Sequence, residues 1–233
     1  KAKQSGLRVG LITNGSMLHK LTMTSLLNYV TWIRIGLDAG TKEMYQRTHG
    51  VDSFHRTMTN ITTLCNIRNS MSAQCTIGTA YLTGGYRNDA DEMLKYVLQT
   101  KVAGCDYAQF RPFDNAKPKG ITQEEIEKVV KLIEPLMEHS SDNFQIVASM
   151  NRYRPIINSR PLPKKCYAPY FIATVGADMK LYTCCHKKGM ESHQVADLRS
   201  ATFTKAWFSR ERADIIENIN PKVDIDRGEG YVM

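Results

Sequence analysis

The chain has 233 residues, 42% of them apolar, which is enough to bury a substantial core in one large domain or in one domain with an appendage. It contains no uncharged apolar run of about 18 residues and opens with no secretory leader, so neither a membrane span nor secretion is indicated and we expect a cytoplasmic protein. The net charge of +8 would suit nucleic acid or an anionic ligand, but the basic residues are scattered, which disfavours a nucleic-acid partner.

Short β-prone runs alternate with segments of helical spacing through the first part of the chain. Strands are predicted at 7–13, 32–37, 73–82, 107–110 and 144–148, and helices at 21–29, at 54–69, after a cap at Asn88 and after Thr122, which has the capping-box spacing to Glu125. This alternation calls for parallel strands with helices outside them. We therefore predict an α/β fold, a partial TIM-like (β/α) barrel, over residues 1–150.

The sequence changes character after residue 150. Residues 151–165 are rich in proline and basic side chains, which is typical of a linker that crosses a surface. Two β-prone runs at 171–175 and 179–183 predict a hairpin, and apolar spacing predicts a helix at 203–219. We expect residues 166–233 to form a small C-terminal appendage of a β-hairpin and a helix.

Polar residues stand where the predicted strands end. In parallel α/β barrels the functional groups lie at this edge, because its loops are able to vary. An aspartate there can accept hydrogen bonds from ribose hydroxyls or an amino group, and an arginine can bind a carboxylate through two parallel bonds. The same residue types also suit ordinary turns and surface ion pairs, so a ligand site and a structural role are both open at this point. The residues are Thr13, Asn14, Asp38, Thr79, Tyr81, Gln109 and Arg111.

Six cysteines are spread over the chain, and their low density fits reduced thiols or metal ligands better than a disulfide framework. Cys166 precedes the predicted hairpin while Cys184 and Cys185 follow it, and a hairpin returns its two ends to one place. Thiolates gathered there could ligate zinc or an iron-sulfur cluster, with His186 as a further candidate. Judged from the residues alone, buried thiols without a metal are the better interpretation. The other cysteines, Cys65, Cys75 and Cys105, are expected in the core.

Three segments resemble, in order and spacing, the third, fourth and sixth strands of the radical S-adenosylmethionine (radical SAM) barrel: GLRVGLITNG at 6–15, WIRIGLDAGTKEMYQRTHG at 32–50 and YAQFRPF at 107–113. The segment from Cys166 through FIATVGADMKLYTCC to ADLRSATFTKAWFSRERADII resembles the SPASM/Twitch appendage of that family, which has a cysteine, a hairpin, a second cysteine and a helix. The resemblance spans nearly the whole chain. It depends on the order of the segments, because no single segment is specific.

The resemblance implies an enzyme that binds S-adenosylmethionine (SAM) at a four-iron four-sulfur cluster, cleaves it reductively to a 5′-deoxyadenosyl radical and abstracts a substrate hydrogen. It implies a peptide or a sugar-like alcohol as the substrate, and an electron donor such as a flavodoxin or ferredoxin. The residues implied are Thr13, Asn14 and Asp38 in the SAM site, Gln109 and Arg111 near the adenosine or substrate, and Cys166 with Cys184 or Cys185 in an auxiliary cluster site.

The chain departs from the family at several points. The Cys-x-x-x-Cys-x-x-Cys motif that holds the SAM cluster is absent, as is the glycine-rich segment after the second strand, and Lys1 lies close to an apolar run, so we expect a truncated chain that is inactive by itself. Gly36 stands where the family often has serine, and no cysteine follows the last predicted helix. Standard hydrolase and kinase motifs are also missing. The alternative is a non-catalytic binding protein whose degenerate barrel holds a nucleotide-like ligand or a protein partner.

Overall fold

The computed structural model describes residues 2–18, 20–112, 122–148 and 164–220. Within these ranges the chain divides into two compact units, residues 2–148 and residues 164–220. The predicted linker falls almost entirely outside the described residues, as does the end of the chain, so the predicted domain bounds stay a prediction. No helix of the described residues combines the length and the apolar character that a membrane crossing requires.

The first unit is built on a sheet of five parallel strands in sequential order. The strands are β1 (Gly10–Thr13), β2 (Trp32–Gly36), β3 (Thr76–Thr83), β4 (Tyr107–Pro112) and β5 (Gln145–Ala148). This arrangement confirms the predicted α/β class. Among the described residues β1 and β5 are the two edges of the sheet, which is therefore open and forms no closed barrel.

Helices connect these strands on one side of the sheet. They are α1 (Lys20–Tyr29), α2 (Lys42–His49), α3 (Phe54–Ser70), α4 (Ala90–Val102) and α5 (Gln123–Ile133). Right-handed crossovers between strands added in sequential order keep every connecting helix on the same face. Accordingly α1 and α2 pack on α3, and α4 packs on β3 and β4. Helix α2 is not predicted from the sequence because its eight residues include only two apolar ones, the adjacent Met44 and Tyr45.

The pairing register sorts the strand side chains onto two faces of the sheet. Residues paired in neighbouring parallel strands point to the same side, and side chains alternate along each strand. The helix-covered face carries buried side chains such as Ile33, Ile77, Tyr81 and Phe110. The opposite face is lined by Trp32, Arg34 and Gly36 of β2, Gly78, Ala80 and Leu82 of β3, and Tyr107, Gln109 and Arg111 of β4.

Side-chain caps fix where the helices of the first unit begin. Thr122 and Glu125 form the predicted capping box of α5, in which each side chain accepts a hydrogen bond from the backbone N–H of the other residue. The predicted cap at Asn88 is wrong. Asp89 accepts the backbone N–H at the start of α4, while the Asn88 Oδ1 atom accepts from the Gly84 N–H and closes the preceding loop.

The second unit holds a three-stranded antiparallel sheet and two short helices. Its elements are β6 (Thr174–Val175), β7 (Lys180–Tyr182), β8 (Gln194–Asp197), α6 (Phe203–Trp207) and α7 (Arg210–Glu217). The predicted hairpin is confirmed as the β6 and β7 pair. The Asp178 carboxylate closes its turn by accepting from the Lys180 N–H at 3.2 Å and from the Tyr182 hydroxyl at 2.5 Å. Strand β8, which pairs with β7, is not predicted from the sequence.

The single helix predicted at 203–219 is in fact two helices. Phe208 leaves the helical conformation, and the Ser209 hydroxyl then accepts from the Arg212 N–H and starts α7. Thr202 caps α6 in the same way. The apolar spacing continues across this break, so the periodicity does not show where one helix ends. The serine cap determines where the second helix begins.

Close packing at Gly40 predicts a large effect of a single methyl group. A Cβ on Gly40 would fall far inside van der Waals contact of the Glu92 carbonyl oxygen and the Tyr96 nitrogen of α4. Gly40→Ala should therefore lower the free energy of unfolding by about 1 to 3 kcal/mol, because the helix must shift. Urea denaturation of the whole chain measures this. The control is Gly36→Ala, whose Cβ would have its nearest neighbours at 3.7 and 4.0 Å and should cost less than about 1 kcal/mol. Equal losses in the two variants would contradict the packing.

Candidate functional site

Asp38 stands at the end of β2, where the backbone ladder to β3 stops. The Leu37 and Asp38 N–H groups both donate to the Ala80 carbonyl oxygen, at 3.1 Å each. The Asp38 Oδ1 atom then accepts from the Leu82 N–H at 2.7 Å, so the side chain continues the ladder by one bond. The chain turns away here through a left-handed backbone conformation, with φ 54°, which aspartate adopts more readily than most residues.

The carboxylate of Asp38 is nearly buried and is surrounded by basic side chains. Burial raises its pKa, while the hydrogen bond from Leu82 and the nearby basic groups of His49, Arg87 and Arg111 act in the opposite direction. The His49 Nε2 atom lies 3.9 Å from the Asp38 Oδ2 atom. A buried carboxylate with this combination of desolvation and charged neighbours is characteristic of functional sites, although ion-pair networks can produce it as well.

Gly36 leaves space beside this carboxylate on the opposite face of the sheet. A Cβ on Gly36 would have the Asp38 Oδ2 atom at 3.7 Å and the Thr13 carbonyl oxygen at 4.0 Å, which are ordinary contact distances. The Asp38 carboxylate and the Thr13 carbonyl oxygen, at neighbouring strand ends, therefore border a small gap, because Gly36 has no side chain to fill it. Acceptors of this kind suit the hydroxyl or ammonium donors of a ligand.

The side chains of Thr13 and Asn14 bond within their own turn. Thr13 Oγ1 accepts from the Gly15 N–H at 3.2 Å, and Asn14 Oδ1 accepts from the N–H and the hydroxyl of Ser16 at 3.2 and 3.0 Å. Thr13 pairs with the core residue Ile35, so its side chain lies on the helix-covered face. The structure thus brings the Thr13 carbonyl oxygen, and not its hydroxyl, to the candidate site.

Gln109 lies on the opposite face of β4, where it holds an arginine. The Gln109 Oε1 atom accepts from the Arg34 Nη1 atom at 2.9 Å, across the strand that separates β2 from β4. The guanidinium of Arg34 lies 6.0 Å from the centre of the Trp32 ring. A concavity of about 260 Å³ is lined by Trp32, Arg34, Tyr107, Gln109 and Val147. Gln109 therefore orients Arg34, and a contact of Gln109 with the adenosine or substrate stays a prediction.

Thr79 and Tyr81 belong to the core, so of the two roles left open for them the structure favours the structural one. Both are buried on the helix-covered face. Thr79 Oγ1 bonds to the Tyr96 hydroxyl at 2.8 Å, and the Tyr81 hydroxyl donates to the Arg87 carbonyl oxygen at 2.7 Å. The reason is the alternation of side chains along β3, which points these two residues toward the helices.

His49 and Arg87 lie at the candidate site but are not identified from the sequence. His49 is the last residue of α2, the helix that is not predicted, and its Nε2 atom lies 3.1 Å from the Leu37 carbonyl oxygen. Arg87 follows the Gly84-Gly85 turn directly after β3. Its position in a loop after a strand end is a signal that could have found it, because all such loops meet at one edge.

The three cysteines predicted as metal ligands lie in the second unit. Cys166 and Cys184 are partly exposed and Cys185 is exposed. Burial, and the neighbouring Cys184, raise the pKa of the Cys185 thiol. Across the described ranges no group of three or more His, Cys, Asp or Glu side chains is arranged to hold a metal ion. These cysteines therefore provide no cluster site by themselves, and their role as ligands stays a prediction.

Comparison with known proteins relates the chain to one fold. No protein-family model and no curated protein matches it. Its fold is similar to that of Streptococcus suis SuiB, whose crystal structure was solved with S-adenosylmethionine bound, with a TM-score of 0.63 at 11% sequence identity. The match covers 94% of this chain and 52% of SuiB, so the chain spans about half the length of that protein. At this identity the likeness establishes the fold alone.

Two further solved structures give lower scores. One is 2,3-dimethylmalate lyase, a member of the PEP mutase/isocitrate lyase superfamily, with a TM-score of 0.36 at 15% identity over 63% of this chain and 55% of the other. The other is BtrN in complex with AdoMet and 2-DOIA, with a TM-score of 0.32 at 8% identity over 97% of this chain and 99% of the other. Scores this low support no conclusion about this chain.

The buried carboxylate predicts a pH-dependent difference between the wild type and Asp38→Asn. Burial raises the pKa of Asp38 above its value in the unfolded chain. At a pH between these two pKa values the folded chain binds more protons than the unfolded chain, so the free energy of unfolding falls as the pH rises through this range. Asparagine keeps an acceptor for the Leu82 N–H without the charge. The variant should be at least as stable as the wild type at pH 7, and the gap should close below the usual pKa of about 3.9. Urea denaturation at a series of pH values measures this.

The matched control is Asp38→Ala, which removes the acceptor together with the charge. Leaving the Leu82 N–H unpaired should cost about 1 to 3 kcal/mol. If Asp38→Asn were instead less stable than the wild type, by an amount that grows with pH, the surrounding basic groups would outweigh burial and the raised pKa would be wrong.

Proposed function

We propose that this chain is the C-terminal part of a radical SAM iron-sulfur enzyme, and that the strand ends around Asp38 form part of its SAM site. The observation that carries the proposal is the fold similarity, over 94% of the chain, to a protein solved with S-adenosylmethionine bound. The segments that resemble the family's strands include β1, β2 and β4 of the observed sheet, so resemblance and fold support the same assignment.

The groups at this edge fit parts of SAM. The Asp38 carboxylate and the Thr13 carbonyl oxygen, beside Gly36, would accept hydrogen bonds from ribose hydroxyls or from the ammonium group. Arg87 and Arg111, whose charges act on Asp38, would suit the methionine carboxylate, since arginine binds carboxylates through paired charge-assisted bonds. The donors and acceptors that SAM needs are thus available from neighbouring strand ends.

The role of this chain in the reaction would be to bind and orient SAM. Bound at a reduced four-iron four-sulfur cluster, SAM would supply the radical chemistry for hydrogen abstraction. Asp38, held in place by the Leu82 N–H, would fix the ligand at the strand ends. The motif that binds such a cluster is absent from these 233 residues, so the proposal assigns cluster binding to another part of the enzyme.

We also propose a peptide or a sugar-like alcohol as the substrate, and a flavodoxin or ferredoxin as the electron donor. The concavity on the opposite face offers the guanidinium of Arg34, the phenol of Tyr107 and the amide of Gln109. A few polar groups in a mainly apolar concave site would fix the orientation of such a substrate. No auxiliary cluster enters the proposal, because the described cysteines form no metal-holding group.

The proposal predicts that the chain binds SAM and that Asp38→Asn weakens binding. Loss of a charged acceptor should raise the Kd by about tenfold or more, since hydrogen bonds to charged groups contribute about 1.5 to 3 kcal/mol. Isothermal titration calorimetry with SAM measures this. The matched control is Asp52→Asn, the same chemical change at an exposed carboxylate that pairs with Lys42 at 2.9 Å, and it should leave the Kd within about twofold.

A titration with ATP separates the two functional classes. Binding of SAM about tenfold tighter than ATP supports the proposal, whereas comparable binding of both favours the alternative of a nucleotide-holding binding protein. Equal SAM affinity in the wild type and in Asp38→Asn would contradict the site. In a protein extended upstream and reconstituted anaerobically with iron and sulfide, formation of 5′-deoxyadenosine would support catalysis, and its absence would support a binding role.

A further inference from the structure

Two buried thiols of the first unit are in contact with each other. Cys65 lies in α3 and Cys105 just before β4, and their Sγ atoms are 3.9 Å apart although 40 residues separate them in sequence. The exposed fraction is 0% for Cys65 and 3% for Cys105. Gly104, with a φ of 83°, allows the chain to approach α3 closely, since a Cβ on it would lie 3.3 Å from the Cys65 Cβ. The contact between the sulfurs follows from this approach.

Charged side chains lie beside the pair. Arg68 forms an ion pair with Asp106 and donates to the Gly104 carbonyl oxygen at 3.0 Å. Either sulfur can donate in the contact between them. This contact lowers the pKa of Cys65, with Arg68 adding to the effect, whereas the contact and burial raise the pKa of Cys105. A second thiol in contact with the first can convert a sulfenic acid to a disulfide.

Cys105 also borders solvent-accessible space. It lines an open cleft of about 730 Å³. Other side chains of the cleft are Arg68, Lys101, Asp106, Ser141 and Gln145. Hydrogen peroxide is a small polar oxidant that fits a cleft of this size and polarity, and Cys105 is the member of the pair that borders the cleft.

We propose that Cys65 and Cys105 are an oxidative modification site, at which a peroxide converts the two thiols to a disulfide. Cys105, the member of the pair that borders the cleft, reacts first. Its Sγ atom attacks a peroxide oxygen: the S–O bond forms, the O–O bond breaks, and the Cys105 thiol proton goes to the other oxygen, which leaves as water. The Cys65 Sγ atom then attacks the sulfenic acid: the S–S bond forms, the S–O bond breaks and a second water leaves. Two thiols and one hydrogen peroxide thus give one disulfide and two waters.

Peptide mapping tests this directly, because trypsin places each core cysteine in a different peptide. Cys65 falls in 57–68, Cys75 in 69–87 and Cys105 in 102–119. The whole chain is reduced, treated with hydrogen peroxide, alkylated and digested without reductant. Mass spectrometry is expected to find 57–68 joined to 102–119, lighter by two hydrogens than the two peptides together. Dithiothreitol should release both peptides.

The matched control is Cys75→Ser, since Cys75 is as buried, at 4% exposed, but its thiol bonds to the Thr76 carbonyl oxygen and not to sulfur. This variant should keep the cross-link, and Cys65→Ser or Cys105→Ser should lose it. Oxidised wild type should also melt several degrees higher than reduced wild type. Peptide mapping of the wild-type chain tests the proposed disulfide even if a serine variant fails to fold. A cross-link through Cys75, or full alkylation of Cys65 and Cys105 while the exposed Cys185 is oxidised, would overturn the proposal.

Discussion

Every connection between the parallel strands passes on the same side of the sheet, and this constraint shapes the rest of the first unit. Because the strands follow one another in sequential order, the helices share one face and bury their apolar sides there. The other face can then carry polar side chains, and Arg34, Gln109 and Arg111 lie on it. The same connectivity brings the carboxyl ends of the strands to one edge, where Asp38 meets its basic neighbours.

Asp38 illustrates the tension between a stable fold and a binding site. Burial disfavours its charged form, and its left-handed backbone conformation is disfavoured for most residues. Asparagine would relieve the first cost, tolerate the second and still accept the hydrogen bond from Leu82. Within the fold, the basic side chains of His49, Arg87 and Arg111 favour the carboxylate but offset the cost of its burial only in part. A ligand that donates hydrogen bonds to the space beside Gly36 would favour it further.

How well the sequence predicts this structure depends on the separation of the residues that interact. Thr122 and Glu125 are three residues apart, and their capping box is predicted and confirmed. Arg34 and Gln109 bond across 75 residues, and only the strand register brings them together. Asp38 lies between these cases. It is recognisable as a strand end from local sequence, but its basic neighbours come from a missed helix, from the loop after β3 and from β4.

The cysteines differ in whether their position in the sequence predicts their surroundings in the fold. Cys184 and Cys185 attract attention because they are adjacent in sequence and follow a hairpin, yet the described residues form no metal-holding group around them. Cys65 and Cys105 are buried like ordinary core residues, yet their sulfurs are in contact. The reactivity of a thiol depends on the charge, the access and the sulfur atoms around it in space. The spacing of cysteines in a sequence therefore predicts their chemistry only where neighbours in sequence are also neighbours in the fold. The pair between α3 and the segment just before β4 is recognisable only from the packed structure.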